Sequence, residues 1–129
     1  MRLGDAFLGA GSSTTASFVD AVKTLRRELE VQDKDVARFT IGKRVYLIVD
    51  DDAARARRRV LDGLHRLYGE MPGIDAVPVS GTPDDVVRGV GEVIDAGAEM
   101  VLLNPVGATV AEDREQMERL AAEVIPQLS

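Results

Sequence analysis

The run Lys43-Arg44-Val45-Tyr46-Leu47-Ile48-Val49 limits the possible folds of this chain more than any other stretch. Its β-branched and aromatic residues suit an extended backbone. From Val45 onward both alternating sets of side chains are apolar, so neither face of such a strand can be left in water. A strand of that kind belongs inside a parallel sheet covered by helices. Glu99-Met100-Val101-Leu102-Leu103-Asn104 repeats the pattern and stops at Pro105.

The segments between these strands have helical spacing. Ala16, Val19, Val22, Leu25 and Leu29 recur along Thr15 to Val31, with a cap expected at Ser13 or Thr14. A polar connector, Gln32 to Asp35, and the approach Val36 to Ile41 should lead into the central strand. Asp52 to Leu67 predicts a long helix that turns Ala53, Ala56, Val60, Leu64 and Leu67 inward, with Asp51 placed to pair with Arg55. Ile74 to Ser80 reads as short and extended. Thr82-Pro83-Asp84-Asp85 is a strong helix start, followed by a stripe of Val86, Val87, Val90, Val93 and Ile94 and a stop at Gly97. The last helix is expected over Val110 to Ile125, burying Met117, Leu120, Ala121, Val124 and Ile125 and ending at Pro126. Strands alternating with helices predict an α/β fold with a parallel sheet.

Composition narrows function by exclusion. The 129 residues make one domain or a piece of one, with 45% apolar residues. With no cysteine there is no disulfide framework, thiolate metal site or cysteine nucleophile, and the single histidine, His65, excludes a histidine-rich metal site. A net charge of −6 argues against a nucleic-acid partner. No apolar run reaches the length of a membrane span, and the start lacks a secretion signal, so a cytoplasmic location is expected.

In parallel α/β folds ligands gather at the carboxyl ends of the strands. Three stretches fall there. Gly9-Ala10-Gly11-Ser12-Ser13 follows a short apolar run and opens a helix, so its glycines and free N–H groups could cradle an anion. Asn104 to Gly107, opening with Asn104-Pro105, closes the last strand. Asp50-Asp51-Asp52 ends the central one, and Leu47 to Asp52 resembles the acidic pocket of a response-regulator receiver domain, where oxygen ligands hold Mg²⁺. More than forty residues precede that strand, an asparagine stands where the phosphoacceptor aspartate should be, and too little chain follows. Acids complementing a helix dipole account better for the triplet, and no metal site is expected.

Arg2-Leu3-Gly4-Asp5-Ala6-Phe7-Leu8-Gly9-Ala10-Gly11-Ser12-Ser13 resembles the late-barrel motif of the luciferase-like monooxygenases, the flavin- or deazaflavin-dependent oxidoreductases. Arg44 to Arg55, Gly81 to Val86, Ala96 to Pro105 and Leu120 to Pro126 are similar to the family's later segments in the same order. The resemblance implies the C-terminal three βα units of a TIM (β/α)8 barrel, with parallel strands, helices on one face, and the barrel incomplete. It implies an FMN or deazaflavin cofactor and a small-molecule substrate, with Gly9, Ala10, Gly11, Ser12, Ser13, Asn104 and Pro105 at the cofactor or substrate mouth. No catalytic residue follows from it. Such barrels need about 250 residues, so the chain is expected to be a truncated frame or a piece of a longer enzyme, inactive alone. An open sheet with one bare apolar face should self-associate as a homo-oligomer or find a complementing chain. A non-catalytic barrel remnant that pairs through that face is the alternative.

Overall fold

The computed structural model describes residues 6–32 and 40–128. Most of the connector expected at Gln32 to Asp35, the approach Val36 to Phe39 and the first residues of the opening run lie outside them. The elements follow in the order β1 (Ala6–Gly9), α1 (Thr15–Val31), β2 (Thr40–Val49), α2 (Ala53–Tyr68), β3 (Val79–Gly81), α3 (Pro83–Asp95), β4 (Met100–Pro105) and α4 (Val110–Arg119). A single 3₁₀ turn at Ile74–Ala76 replaces part of the extended stretch expected before β3.

All pairings in the sheet are parallel, and all of them involve β2. Lys43 pairs with both Gly9 and Val101, while Leu47 pairs with both Val79 and Pro105. β4 therefore runs along one edge of β2, and β1 and β3 lie end to end along the other. The two apolar sets of β2 are covered as their pattern requires. Ile41, Val45, Leu47 and Val49 pack with Phe18, Val22, Leu25 and Leu29 of α1, with Val86, Val90 and Val93 of α3, and with Leu120 and Val124. Tyr46 and Ile48 pack with Ala56, Val60 and Leu64 of α2 and with Val106.

One face thus carries α1, α3 and the C-terminal segment, as the barrel resemblance implies. The opposite face, expected to be bare, is in part covered by α2. Crossover handedness explains the difference. The step from β2 through α2 to β3 moves outward, and the step from β3 through α3 to β4 returns across β2. Right-handed connections then place α2 and α3 on opposite faces. The rest of the second face stays open. Leu8 (48% exposed) and Met100 (53%) stand around Gly42, whose missing side chain lets them approach each other, and Leu102 (46%) follows opposite Arg44.

Helix ends follow local chemistry. Thr14 caps α1 through Ser17 N–H, and Asp52 caps α2. Thr82 and Asp85 form a capping box on α3, and Gly97 follows its end at φ +119°, a conformation that favours glycine. The inward stripes are narrower than the spacing suggests. Ala53, Leu67, Ile94, Met117, Ala121 and Ile125 are exposed and Val87 is half-buried, whereas Gln116 is fully buried. α4 ends at Arg119, and a π turn at Leu120–Val124 with a 3₁₀ turn at Ile125–Gln127 completes the expected last helix up to Pro126.

Candidate functional site

The Gly9–Ser13 turn is held from below by a lysine. Lys43 is 3% exposed, and its Nζ donates to the carbonyls of Ala10 (2.6 Å), Ser13 (3.2 Å) and Arg44 (2.8 Å). A Cβ on Gly9 would lie 2.8 Å from both Lys43 Cδ and Phe18 Cδ1, so only glycine lets the strand end pass so close. Ser13 Oγ donates to Ala10 O at 2.7 Å. Burial lowers the Lys43 pKa to about 8, which still leaves an ammonium at neutral pH to bind three carbonyls. Replacing Lys43 with Met keeps the length of the stem and removes the three donors. We expect faster amide exchange across residues 10–14 and a loss of about 1–2 kcal/mol in urea unfolding.

The upper side of the same turn meets the other face of β2. Gly11 is buried, and a Cβ there would lie 2.5 Å from Tyr46 Cε2 and 3.0 Å from Arg44 Cδ. The Tyr46 and Tyr68 hydroxyls are 2.6 Å apart, with the rings edge to face. Asn104 is the register partner of Tyr46 on β4. The structure thus brings Gly11 and Asn104 to two sides of Tyr46, while Gly9, Ala10 and Ser13 are engaged with the lysine strut and Ser12 stays half-buried in the turn.

Asn104 and Pro105 line a cleft of about 240 Å³ under α2, together with Gly63, Arg66 and Asp113, and residues 9–13 do not reach it. A drug-sized ligand usually occupies a pocket of roughly 300–1,000 Å³. The cleft therefore matches part of a ligand. A larger hollow of about 590 Å³ lies by His65 and the 70–76 loop, and no strand residue lines it. Gly63 fixes how closely α2 crosses the end of β4, since a Cβ there would sit 2.5 Å from Val106 O. Gly63→Ala should gain about 1 kcal/mol in helix propensity but lose about 1–3 kcal/mol to overpacking against backbone. The expected net result is a lower urea midpoint, although alanine is the better helix former.

The acidic triplet serves the fold. Asp50 (3% exposed) accepts from Arg55 Nε at 2.8 Å and Nη2 at 2.5 Å, from Arg59 Nη1 at 3.0 Å and from Asp52 N–H at 3.1 Å. Arg55 thus pairs with Asp50 rather than Asp51, because Asp50 points inward beneath the first turn of α2. Asp51 is instead bound by Arg119 at 2.7 Å. With guanidinium groups on both Asp50 oxygens, the triplet is not arranged as a receiver's Mg²⁺ pocket. Among the described residues, no group of three His, Asp or Glu side chains could hold a metal ion.

No protein-family model matches this chain, and no curated protein matches its sequence. Its fold does match solved structures. One is an F420-dependent secondary alcohol dehydrogenase in complex with an F420-acetone adduct (TM-score 0.71, 14% identity, 98% of this chain and 43% of that one). Another is the coenzyme F420-dependent tetrahydromethanopterin reductase from Methanopyrus kandleri (TM-score 0.74, 17% identity, 99% and 46%). A third is a riboflavin lyase with modified FMN and substrate riboflavin (TM-score 0.70, 15% identity, 98% and 39%). The chain has the fold of part of a TIM barrel. It spans less than half the length of these three proteins. Among the described residues, no helix is long and apolar enough to cross a membrane.

Sequence reasoning missed Lys43, Tyr68 and Gln116 as organising residues. Each carried a faint signal: a charge entering a doubly apolar strand, an aromatic at a helix end, and a polar residue four before Leu120 in the buried phase.

Proposed function

We propose that residues 1–129 are the C-terminal part of a luciferase-like oxidoreductase domain that uses a flavin or deazaflavin. The observation that carries this reading is the fold likeness, over 98–99% of the chain, to three proteins described with F420 or FMN. Local geometry supports it. Gly11 leaves backbone flush against the Tyr46 ring, on the sheet face opposite α1 and α3, where a Cβ would collide with the ring at 2.5 Å. Gly9, Ala10, Gly11, Ser12 and Ser13 would border the cofactor on one side, with Asn104 and Pro105 on the other, and their role is binding rather than proton transfer. A bound flavin or deazaflavin would supply two-electron chemistry toward a small-molecule substrate, with oxygen insertion if the enzyme is of the monooxygenase type. The segment is proposed to carry enough of the border to bind the cofactor but to be inactive alone, because further barrel strands would close the substrate side of the small cleft, and the enzyme it belongs to is proposed to be cytoplasmic.

The exposed trio Leu8, Met100 and Leu102 favours a second reading, a self-associating barrel remnant without catalysis. A single experiment separates the two. The purified chain is titrated with FMN and with F420, followed by cofactor fluorescence, while light scattering gives its oligomeric state. Saturable binding that Gly11→Leu abolishes supports the oxidoreductase reading. A folded, defined oligomer that binds neither cofactor overturns it and leaves the remnant.

A further inference from the structure

Arg44 stands in the central strand with no partner for its charge. Arg55, Arg59, Arg88 and Arg119 each have a carboxylate within ion-pair distance; among the described residues Arg44 has none, and unlike the exposed, unpaired Arg58, Arg66 and Arg114 it is part-buried. Its Nε is fully buried and makes no hydrogen bond, the only such side-chain atom among the described residues. Buried donors in native proteins are nearly always satisfied, so an orphaned guanidinium N–H points to an acceptor that belongs there. Arg44 shares its face of β2 with Tyr46, and the two side chains meet beneath Gly11.

The tyrosine pair adds a second donor. One hydroxyl proton is used between Tyr46 and Tyr68, so the accepting oxygen still has its own proton to give. The bond from Tyr46, together with burial, raises the Tyr68 pKa against the opposing pull of the Arg44 charge, which keeps that proton in place at neutral pH. Asn104, beside Tyr46 in register, brings a further amide to this face. Lys43 points to the other face and spends its donors on carbonyls, so it does not compete.

We infer that Arg44 and the Tyr46–Tyr68 hydroxyl pair form a binding site for a small oxyanion, the carboxylate or phosphate group of a ligand. A planar guanidinium with a phenol beside it suits two oxygens of such a group. The inference deepens the oxidoreductase reading and rests on it for the ligand to which the anion belongs. The anion site can be tested with no cofactor present.

The probes are inorganic phosphate and acetate, each titrated into the isotopically labelled chain while the arginine Nε–H resonances are followed by NMR. The Arg44 resonance should shift saturably at roughly millimolar to tens of millimolar probe, and the other arginines should not. Response to phosphate alone or to acetate alone identifies the class of anion. Tyr68→Phe, a change at an exposed residue, should weaken binding roughly five- to tenfold. Arg44→Gln should abolish the probe-induced shifts of the Tyr46 and Tyr68 ring resonances, followed in the same titration, while circular dichroism stays unchanged. No saturable Arg44 shift with either probe overturns the site, and so does a shift shared equally by the surface arginines. If anions bind but neither FMN nor F420 does, the redox reading falls and this site stands. If cofactor binds and the Arg44 resonance ignores both probes, only this site falls.

Discussion

Gln116→Leu is expected to lower stability by about 2–5 kcal/mol, a large part of the roughly 5–15 kcal/mol that holds a domain of this size. Gln116 is 0% exposed, and it accepts from Val49 N–H at 2.7 Å and donates to Val49 C=O at 2.8 Å. The reason lies in the sheet. Asp50 N–H bonds Gly81 of β3, so Val49 directs its own N–H and C=O to the other edge of β2. β4 lies on that edge, but its ladder stops at Pro105, opposite Leu47. The Gln116 amide takes the place of the missing strand. Leucine matches its volume and leaves two buried backbone groups unpaired. Urea denaturation should show a lower midpoint with an unchanged slope. A midpoint equal to that of the parent chain would mean that water or a shifted β4 satisfies Val49.

Asp50→Asn is expected to cost about 2–3 kcal/mol, less than a fully buried pair would, because Arg55 and Arg59 can turn toward solvent. The same residue sets the acid limb. The Arg55 hydrogen bonds, aided by Asp52 N–H and Arg59, hold the Asp50 carboxyl far below the usual carboxylate range despite its burial. In the unfolded chain it titrates near its ordinary value, about 3.9. Below that pH the unfolded state binds the proton that the folded state refuses, so the contribution is complete above about pH 4 and is lost as pH falls further. Unfolding free energies measured from pH 7 to pH 2 should therefore drop less steeply in Asp50→Asn than in the parent chain. Parallel curves would assign the acid limb to other carboxylates.

Both residues stand where the carboxyl ends of β2 and β4 meet α2 and α4. Loosening either end would displace the Asn104–Pro105 cleft along with the fold. If the chain binds the proposed cofactor, a loss of that binding in these variants would follow from strand-end disorder and would not test the site. Lys43→Met and Tyr68→Phe separate the turn and the anion site from that effect, since neither residue contacts Val49 or Asp50 in any hydrogen bond.

Short-range chemistry settled much of this protein. The doubly apolar run Val45 to Val49 required cover on both faces, and it has cover on both. Thr14, Asp52, Thr82 and Gly97 act at the helix ends where their side chains or conformational freedom place them, because a cap depends on residues within one turn. Parallel α/β order followed from the alternation of periods. The position of Gly9 to Ser13 after a strand, and of Asn104 at the end of another, could be read in the same way.

What no local pattern encodes is which distant group a polar side chain will meet. Spacing along a helix offers Arg55 Asp51, four residues before it, but the inward turn of Asp50 captures the guanidinium instead. Gln116 lies in an apolar phase that composition alone would call an error, yet it completes a strand 67 residues away. Lys43 becomes a strut only because β1 pairs with the lower half of β2, which brings the carbonyls of Ala10 and Ser13 within its reach. The side of the sheet taken by α2 depends on where β3 docks, and so on crossover handedness rather than on the helix's own residues. Periodicity is a property of a segment, whereas register and docking are properties of pairs of segments, and they exist only once the chain has closed on itself.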